Sequence, residues 1–393
     1  MARIATNELS FMLCDLWGNQ LEDGMIIEHI AGSGEVERTL NGPSLAAVAI
    51  DIAHPAAYLA RKANGGGALT RMVKAFYAPT KHLGPVYTGI LLEPGWSASE
   101  RIVALSFTDA WFRLQRAYLA TPYNTPDGGR DIGQVMWDLI ARAANRAYPL
   151  IHPGLGITQG TIQATYNINR NYDAGENIGD AIMELSQLAG APDISFKPLH
   201  RTDGKFWEFT ALTPGNAAID ATATCWFECN TGLDNCIIDH APSGDPVANY
   251  YTAMGRVPDD ETLTPPMGYA RHDASIIARG IYEGWDTNDA EYVVIEQAKA
   301  QEMVSAYFEP PDYLTIVPNP EAPVYPRLGA PPRWQIDYNL GYVVRAIARM
   351  DSLQLDIGAR VMSDRITEDD ESGATRLELD VAPNVDPSGV TVF

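Results

Sequence analysis

The chain is poor in cysteine, in positive charge and in long apolar runs, and each shortage removes a class of protein. Four cysteines in 393 residues do not make a disulfide-built scaffold, which packs many cysteines into a short chain. No apolar run reaches the roughly 20 residues needed to cross a bilayer as a helix. The opening MARIATNELSFMLCDLWGN lacks the apolar core and small-residue cleavage site of a secretory leader. Lys and Arg number 28 against 50 Asp and Glu, a net charge of −22. Such a surface repels phosphate backbones, so specific nucleic-acid binding is not expected, although a wall that DNA must pass without sticking would be acidic. The imbalance is steep at the end, where eight acidic residues face two arginines between Asp364 and Phe393.

Catalytic signatures are missing too. No GxGxxG follows a strand, and the P-loop, HExxH and GxSxG patterns are absent. The seven histidines are scattered. His272 beside Asp273 has the composition of an acid–base pair, but it adjoins a Pro-rich stretch where such neighbours arise by chance. His54 before Pro55 reads as the start of a helix. Cys225, Cys229, Cys236 and His240 invite a zinc reading. However, Cys225 and Cys229 lie on one strand about 13 Å apart at ~3.3 Å per residue, too far for one tetrahedral ion. Buried free thiols are the expectation, and neither metal nor cofactor is expected. Asp369, Asp370 and Glu371 are the densest carboxylates. Carboxylate pairs hydrolyse glycosides or hold calcium, but these three lie at a turn and the EF-hand spacing is absent, so a solvated turn is expected. The eight tryptophans are spread one per segment, which suits core and interface positions better than a sugar platform. Trp137 and Trp226 fall on core-facing positions.

What is present is a folded composition, 46% hydrophobic and 20% charged, and a definite order of segments. Residues 1–120 alternate as strands, with Leu9, Phe11 and Leu13 on one face. They continue through MIIEHIA, VYTGILLE and RIVALSF, with a short helix starting at Pro55 and ended by Gly65–Gly67. A small barrel or sandwich is expected there. Residues 121–205 change period. After the loop PYNTPDGG, Ile132, Val135, Met136, Leu139, Ile140 and Ala143 repeat at helical spacing. Ile178, Ala181, Ile182 and Leu185 do so again, before a stop at Gly190 and Pro192. This is a compact α+β insert. Residues 206–257 return to strands (FWEFTAL, TATCWFEC, NCIIDHA, NYYTAMGRV). Residues 258–332 hold a polar Pro-rich loop and a helix of about 20 residues, capped near Asn288 or Asp289 and ended by Pro310. Residues 333–393 hold the strands YVVRAIA, LQLDIGARVMSDRITED and TRLELDV, the last two joined by a tight turn at Glu371–Gly373.

This order, β region, α+β insert, β region, resembles the hub proteins at the tip of bacteriophage tails, filed as minor tail proteins of actinobacterial siphophages. Four stretches carry the resemblance. SFTDAWFRLQRAYL matches the close of a first tube domain, and ENIGDAIMELSQLAGAPDISF an insert helix with its following strand. NTGLDNCIIDHAPSGDPVANYYTAMG matches a return segment, and NLGYVVRAIARMDSLQLDIGARVMSDRITED with TRLELDV a second tube domain. The resemblance implies an α+β, baseplate-hub-like fold with two tube-forming, β-barrel-like domains and small inserted α+β domains, the return segment pairing with the first domain. It implies a non-enzymatic homotrimeric ring at the distal end of the tail. That ring would join the tail tube or distal tail protein to receptor-binding or fibre proteins, with the tape measure protein ending near its lumen and DNA passing through. Asp369, Asp370 and Glu371 would then face the lumen or its rim. The chain ends at Phe393, soon after the second β region, which reads as a hub without peptidase, lysozyme or receptor-binding extensions. The rival readings are a tail-tip cell-wall hydrolase, which needs a clustered His/Asp/Glu or Cys/His site, and a host carbohydrate-binding module, which needs an exposed aromatic row.

Overall fold

A computed structural model describes residues 8–21, 26–30, 32–60, 69, 71–92, 94–144, 154–188, 190–213, 225–242, 247–256, 264–287, 293–307, 312–324, 331–350, 353–369, 374–383 and 390–392. The fold is mostly β, with largely antiparallel sheets.

Strand alternation in the first region is real. Leu9, Phe11 and Leu13 are fully buried on one face of β1 (Leu9–Cys14). The region continues as β2 (Ile26–Ile27), β3 (Glu35–Thr39), β4 (Leu45–Asp51), β5 (Met72–Tyr77), β6 (Tyr87–Leu91), β7 (Gly95–Ser97) and β8 (Ile102–Thr108). Helix α1 (Pro55–Ala60) begins at Pro55, and His54 Nδ1 accepts from the Ala56 N–H at 3.0 Å. His54 is thus the helix-start residue its position predicts. Gly65–Gly67 lie outside the described residues. Helix α2 (Ala110–Leu114) closes the region, with Asp109 capping it by accepting the Trp111 N–H.

Residues 121–205 run through β9 (Tyr123–Asn124), β10 (Arg130–Asp131), α3 (Ile132–Ala144), β11 (Ile157–Ile162), β12 (Asn167–Ile168), β13 (Asn171–Tyr172), α4 (Ile178–Ser186) and β14 (Asp193–Pro198). Strand β15 (Trp207–Leu212) completes a three-stranded sheet between β11 and β14. The six apolar positions read on α3 are all fully buried. The four on α4 are buried with them, and Asn177 caps α4 through the Asp180 N–H. Trp207 and Phe209 fill the same core. Trp137, expected as core, is only partly buried and stacks on Phe209 with ring centroids 6.2 Å apart.

The remaining elements are β16 (Trp226–Cys229), β17 (Cys236–Pro242), β18 (Tyr250–Met254), β19 (Met267–His272), α5 (Asp273–Arg279), β20 (Glu283–Thr287), α6 (Val293–Tyr307), β21 (Asp312–Pro318), β22 (Val343–Met350), β23 (Leu353–Glu368), β24 (Thr375–Pro383) and β25 (Val390–Val392). Helix α6 covers 15 described residues of the stretch expected to be helical. The expected cap at Asn288 or Asp289, the helix end at Pro310 and the turn at Glu371–Gly373 lie outside the described residues.

Two features of the topology could not be read from local pattern. The first is that both β regions share one sheet, in the order β17-β21-β24-β23-β3-β4-β8-β6-β5-β1-β2. Strand β23 makes the join. The 16-residue strand pairs with β22 over Leu353–Arg360, and then with β3 over Ser363–Thr367, while β24 takes its other edge. One hydrophobic core runs beneath, from Leu9 and Phe107 to Val361 and Leu379. The second concerns residues 206–257, expected to pair with the first region. Instead β15 pairs within the insert, β16 runs parallel to β22, β17 is antiparallel to β21, and β18 lies between β19 and β20. The segment meets the first region by packing, through Cys225, Phe227, Cys236 and Ile238 in the shared core. Alternation shows that a strand exists and which face is apolar. It does not choose the partner, because pairing is settled by distant chain.

Candidate functional site

A set of buried polar contacts lies at the join of the two β regions. Arg38 and Asp364 are direct cross-strand partners on β3 and β23, and both face inward. Arg38 Nε donates to Asp364 Oδ1 at 2.8 Å, and Arg38 Nη2 donates to Oδ2. This is the two-pronged geometry that suits guanidinium to carboxylate. Trp334 Nε1 donates to the same carboxylate at 3.1 Å. The Arg38 guanidinium lies 4.7 Å from the Trp334 ring centroid, adding a cation–π contact. Asn339 accepts from Arg38 Nη2 at 2.9 Å. At the far end of β23, His29, from the stretch between β2 and β3, brings its Nε2 to both Glu368 oxygens at 2.8 and 2.9 Å, with both side chains buried and Phe11 edge-on to the imidazole. Arg365 adds an exposed pair with Glu35 at 2.6 Å.

Residues 193–207 are tied to the first β region and to β23 at several places. Asp193 of β14 pairs with Arg360 of β23, and the Ile194 N–H donates to Asn41 Oδ1 at 2.7 Å. Burial lowers the Arg360 pKa to about 10. Lys74 of β5 is fully buried and donates to the carbonyls of Gly18 and Arg201 at 3.0 and 2.8 Å. Burial pulls its pKa below the ordinary lysine value. Gly18 sits at φ +87°, where a β-carbon would stand 2.4 Å from the Arg201 carbonyl oxygen. Asp109 is buried, accepts from Ser44 N–H at 3.0 Å and Trp111 N–H at 3.0 Å, and is pushed by burial up to about 7.

The chemistry-bearing candidates from the sequence do not converge. His272 Nδ1 accepts from the Ser275 N–H at 3.1 Å and so starts α5. Its neighbour Asp273 pairs with Arg271 at 2.8 Å. Cys225 and Cys236 are buried, with thiol pKa values raised by desolvation, and all four cysteines are free. Among the described residues no three His, Cys, Asp or Glu side chains are grouped as metal ligands. Of the acidic triplet, Asp369 follows β23 with its N–H donating to the Ala374 carbonyl at 2.9 Å, while Asp370 and Glu371 lie outside the described residues. A cavity of about 360 Å³ opens beside the join, walled by Tyr77, Pro79, Pro318, Pro332, Trp334 and Tyr338. The two arginines at it are taken, Arg333 by Asp337 and Arg376 by Glu378. This wall offers apolar contact and no acid–base pair.

Sequence reasoning missed the join. It read the acidic end of the chain as solvated or lumenal, whereas Asp364 and Glu368 are spent inward on Arg38 and His29. The signal was there: in EVERT and in SDRITED the charges Arg38, Asp364 and Glu368 fall in phase with Val36 and Ile366, the inward positions.

No protein-family model matches the chain, and no curated protein matches it. Solved structures do. The fold is shared with phage-type tail proteins. A tail protein from Neisseria meningitidis MC58 is similar over 96% of this chain and 97% of its own, at 13% identity and a TM-score of 0.57. The 43 kDa tail protein of prophage MuSo2 from Shewanella oneidensis is similar over 97% and 99%, at 11% identity and a TM-score of 0.59. A prophage tail protein from Listeria monocytogenes EGD-e is similar over 96% and 95%, at 10% identity and a TM-score of 0.52. At these identities the likeness is one of fold, and it runs end to end.

Proposed function

We propose that this chain is a structural protein of a siphophage tail tip, a hub that assembles as a homotrimeric ring. The observation that carries the reading is the end-to-end likeness of fold to three tail proteins, each covered over at least 95% of its length. The topology supports it. Two β regions joined in one sheet give each copy two contributions to a ring. The sheet path ends at β2 and β17, and pairing between copies would cover such open edges. The net charge of −22 suits a channel through which DNA slides without binding.

In this reading 1–120 and 333–393 form the tube wall and close it as barrel-like domains, with 121–205 lying outside and 258–332 too, save for β21, which pairs into the wall between β17 and β24. The strands of 225–242 belong to the second tube domain, by their pairing. The distal tail protein lies above, receptor-binding or fibre proteins below, and the tape measure protein ends near the lumen. Asp369, Asp370 and Glu371 line its rim. The work is assembly and not catalysis.

The test is light scattering and electron microscopy of the purified chain, alone and mixed with its neighbouring tail proteins. A threefold ring with a central channel is expected. A monomer that stays monomeric in the presence of those neighbours would end the hub reading.

A further inference from the structure

The turn between β3 and β4 carries an Asn–Gly pair, Asn41–Gly42, and uses it to hold β14. Asn41 stands at φ +57°, in the left-handed region that asparagine tolerates better than most side chains. There its N–H donates to the Ile194 carbonyl at 3.2 Å, while its Oδ1 accepts the Ile194 N–H at 2.7 Å. One residue thus pairs with both backbone groups of Ile194, as a neighbouring strand would. Its Nδ2 donates to Asp193 Oδ1 at 3.3 Å, and Asp193 is paired in turn with Arg360 of β23. The flanks of the turn are fixed as well. Leu40 N–H donates to the Met362 carbonyl at 2.9 Å, and Thr39 N–H to Ser44 Oγ at 3.2 Å.

Asn–Gly is also a chemically labile pair. The backbone nitrogen of the glycine can attack the side-chain amide carbon, and with no β-carbon the glycine puts nothing in the way. In that step the bond from Gly42 N to Asn41 Cγ forms and the Cγ–Nδ2 bond breaks. The Gly42 amide proton leaves with Nδ2 as ammonia, and a five-membered succinimide remains. Water then opens the ring at either carbonyl, giving aspartate, or isoaspartate with the backbone routed through Cβ and Cγ. Water is the only co-reactant, and nothing is oxidised or reduced.

The closed joint opposes this reaction. Attack requires the amide carbon to meet the Gly42 nitrogen along a restricted approach, and an amide bonded through both its oxygen and its nitrogen is not free to turn. We infer that Asn41 is a site of spontaneous deamidation, reactive only when β14 parts from the turn, and that the reaction makes the parting permanent. The product carries a carboxylate where Nδ2 had donated, so the Arg360 guanidinium faces two carboxylates in place of one. In the isoaspartyl form the turn is also longer by a methylene, and its N–H and oxygen no longer match those of Ile194. The joint is in this way a one-way latch between the turn and β14, whatever the chain assembles into.

The test uses the full chain at mildly alkaline pH, either folded or unfolded in guanidinium chloride. Tryptic peptide 39–61 holds Asn41 as its one asparagine, and the other Asn–Gly pair, Asn64–Gly65, falls in a different peptide, so mass spectrometry assigns the loss of ammonia and gain of water. Conversion is expected to be at least about tenfold slower in the folded chain, where it requires local opening. Arg360→Gln takes the guanidinium from Asp193 and is expected to raise the folded rate at least about threefold. Ile27→Val, a small core truncation in β2, is expected to leave it unchanged. Circular dichroism confirms that each variant is folded. Should Arg360→Gln unfold, Asn41→Asp gives a second readout, with hydrogen exchange expected to quicken over 193–197 and to stay unchanged over 103–108. Equal conversion in the folded and unfolded chains overturns the inference. So does an equal rise in Ile27→Val, which would mean that the reaction waits on global unfolding, and so does unchanged exchange over 193–197 in Asn41→Asp.

Discussion

The join between the β regions makes a quantitative prediction. Arg38 and Asp364 are both largely withdrawn from water, linked by two hydrogen bonds, with Trp334 donating to the same carboxylate. Replacing Arg38 by Met leaves a buried carboxylate with only the indole N–H, and one-sided removal of a buried pair costs about 3–5 kcal/mol. Asp364→Leu leaves a buried guanidinium with Asn339 as its remaining partner, and the loss is of the same order. The double variant Arg38→Met/Asp364→Leu removes both charges and orphans the Trp334 N–H, which costs roughly 1–3 kcal/mol. It should be more stable than either single variant. The coupling free energy in the cycle should therefore be large, on the order of 3 kcal/mol or more, against at most about 1 kcal/mol for an exposed pair. Urea unfolding followed by tryptophan fluorescence measures all four proteins, and hydrogen exchange shows whether β3 and β23 loosen first. Single losses below about 1 kcal/mol that simply add would refute the reasoning, since the pair would then behave as a solvated one.

Three further outcomes are expected. Asp109 has a folded pKa of about 7 against an ordinary 3.8, so the native state holds its proton more tightly; stability is greatest below the unfolded value and falls as pH rises from about 4 to 7, by at most on the order of 4 kcal/mol. Asp109→Asn should flatten that part of a melting-temperature profile against pH, and an unchanged profile would count against a buried, raised carboxyl. Lys74→Met orphans the Gly18 and Arg201 carbonyls at about 1–3 kcal/mol each, and exchange should quicken at the 201–206 turn; if only a distant segment responds, the tie between β5 and the insert is not what Lys74 provides. Leu139→Ala on the buried face of α3 should cost about 2–5 kcal/mol in urea unfolding, whereas Gln134→Ala on the same helix should cost under about 0.5 kcal/mol.

Local pattern determined a good part of this protein. The apolar faces of β1, α3 and α4 and the proline start of α1 follow from side-chain period and backbone limits, which act over a few residues and are written in order along the chain. Pairing and burial of charge were left to the tertiary structure. SDRITED looks like a polar strand near an acidic end, and nothing within it says that Asp364 will meet Arg38 or that Glu368 will meet His29. Those partners lie more than 300 residues away. TATCWFEC likewise shows a strand with an apolar face, while its choice of β22 over the first region depended on which edge the rest of the sheet left open. The same holds for Ile277 and Trp285. They are large apolar side chains, and only the assembled small sheet of β18, β19, β20 and β25 shows them at the surface. Sequence sets what each segment prefers to bury; the folded chain decides what is available to bury it against.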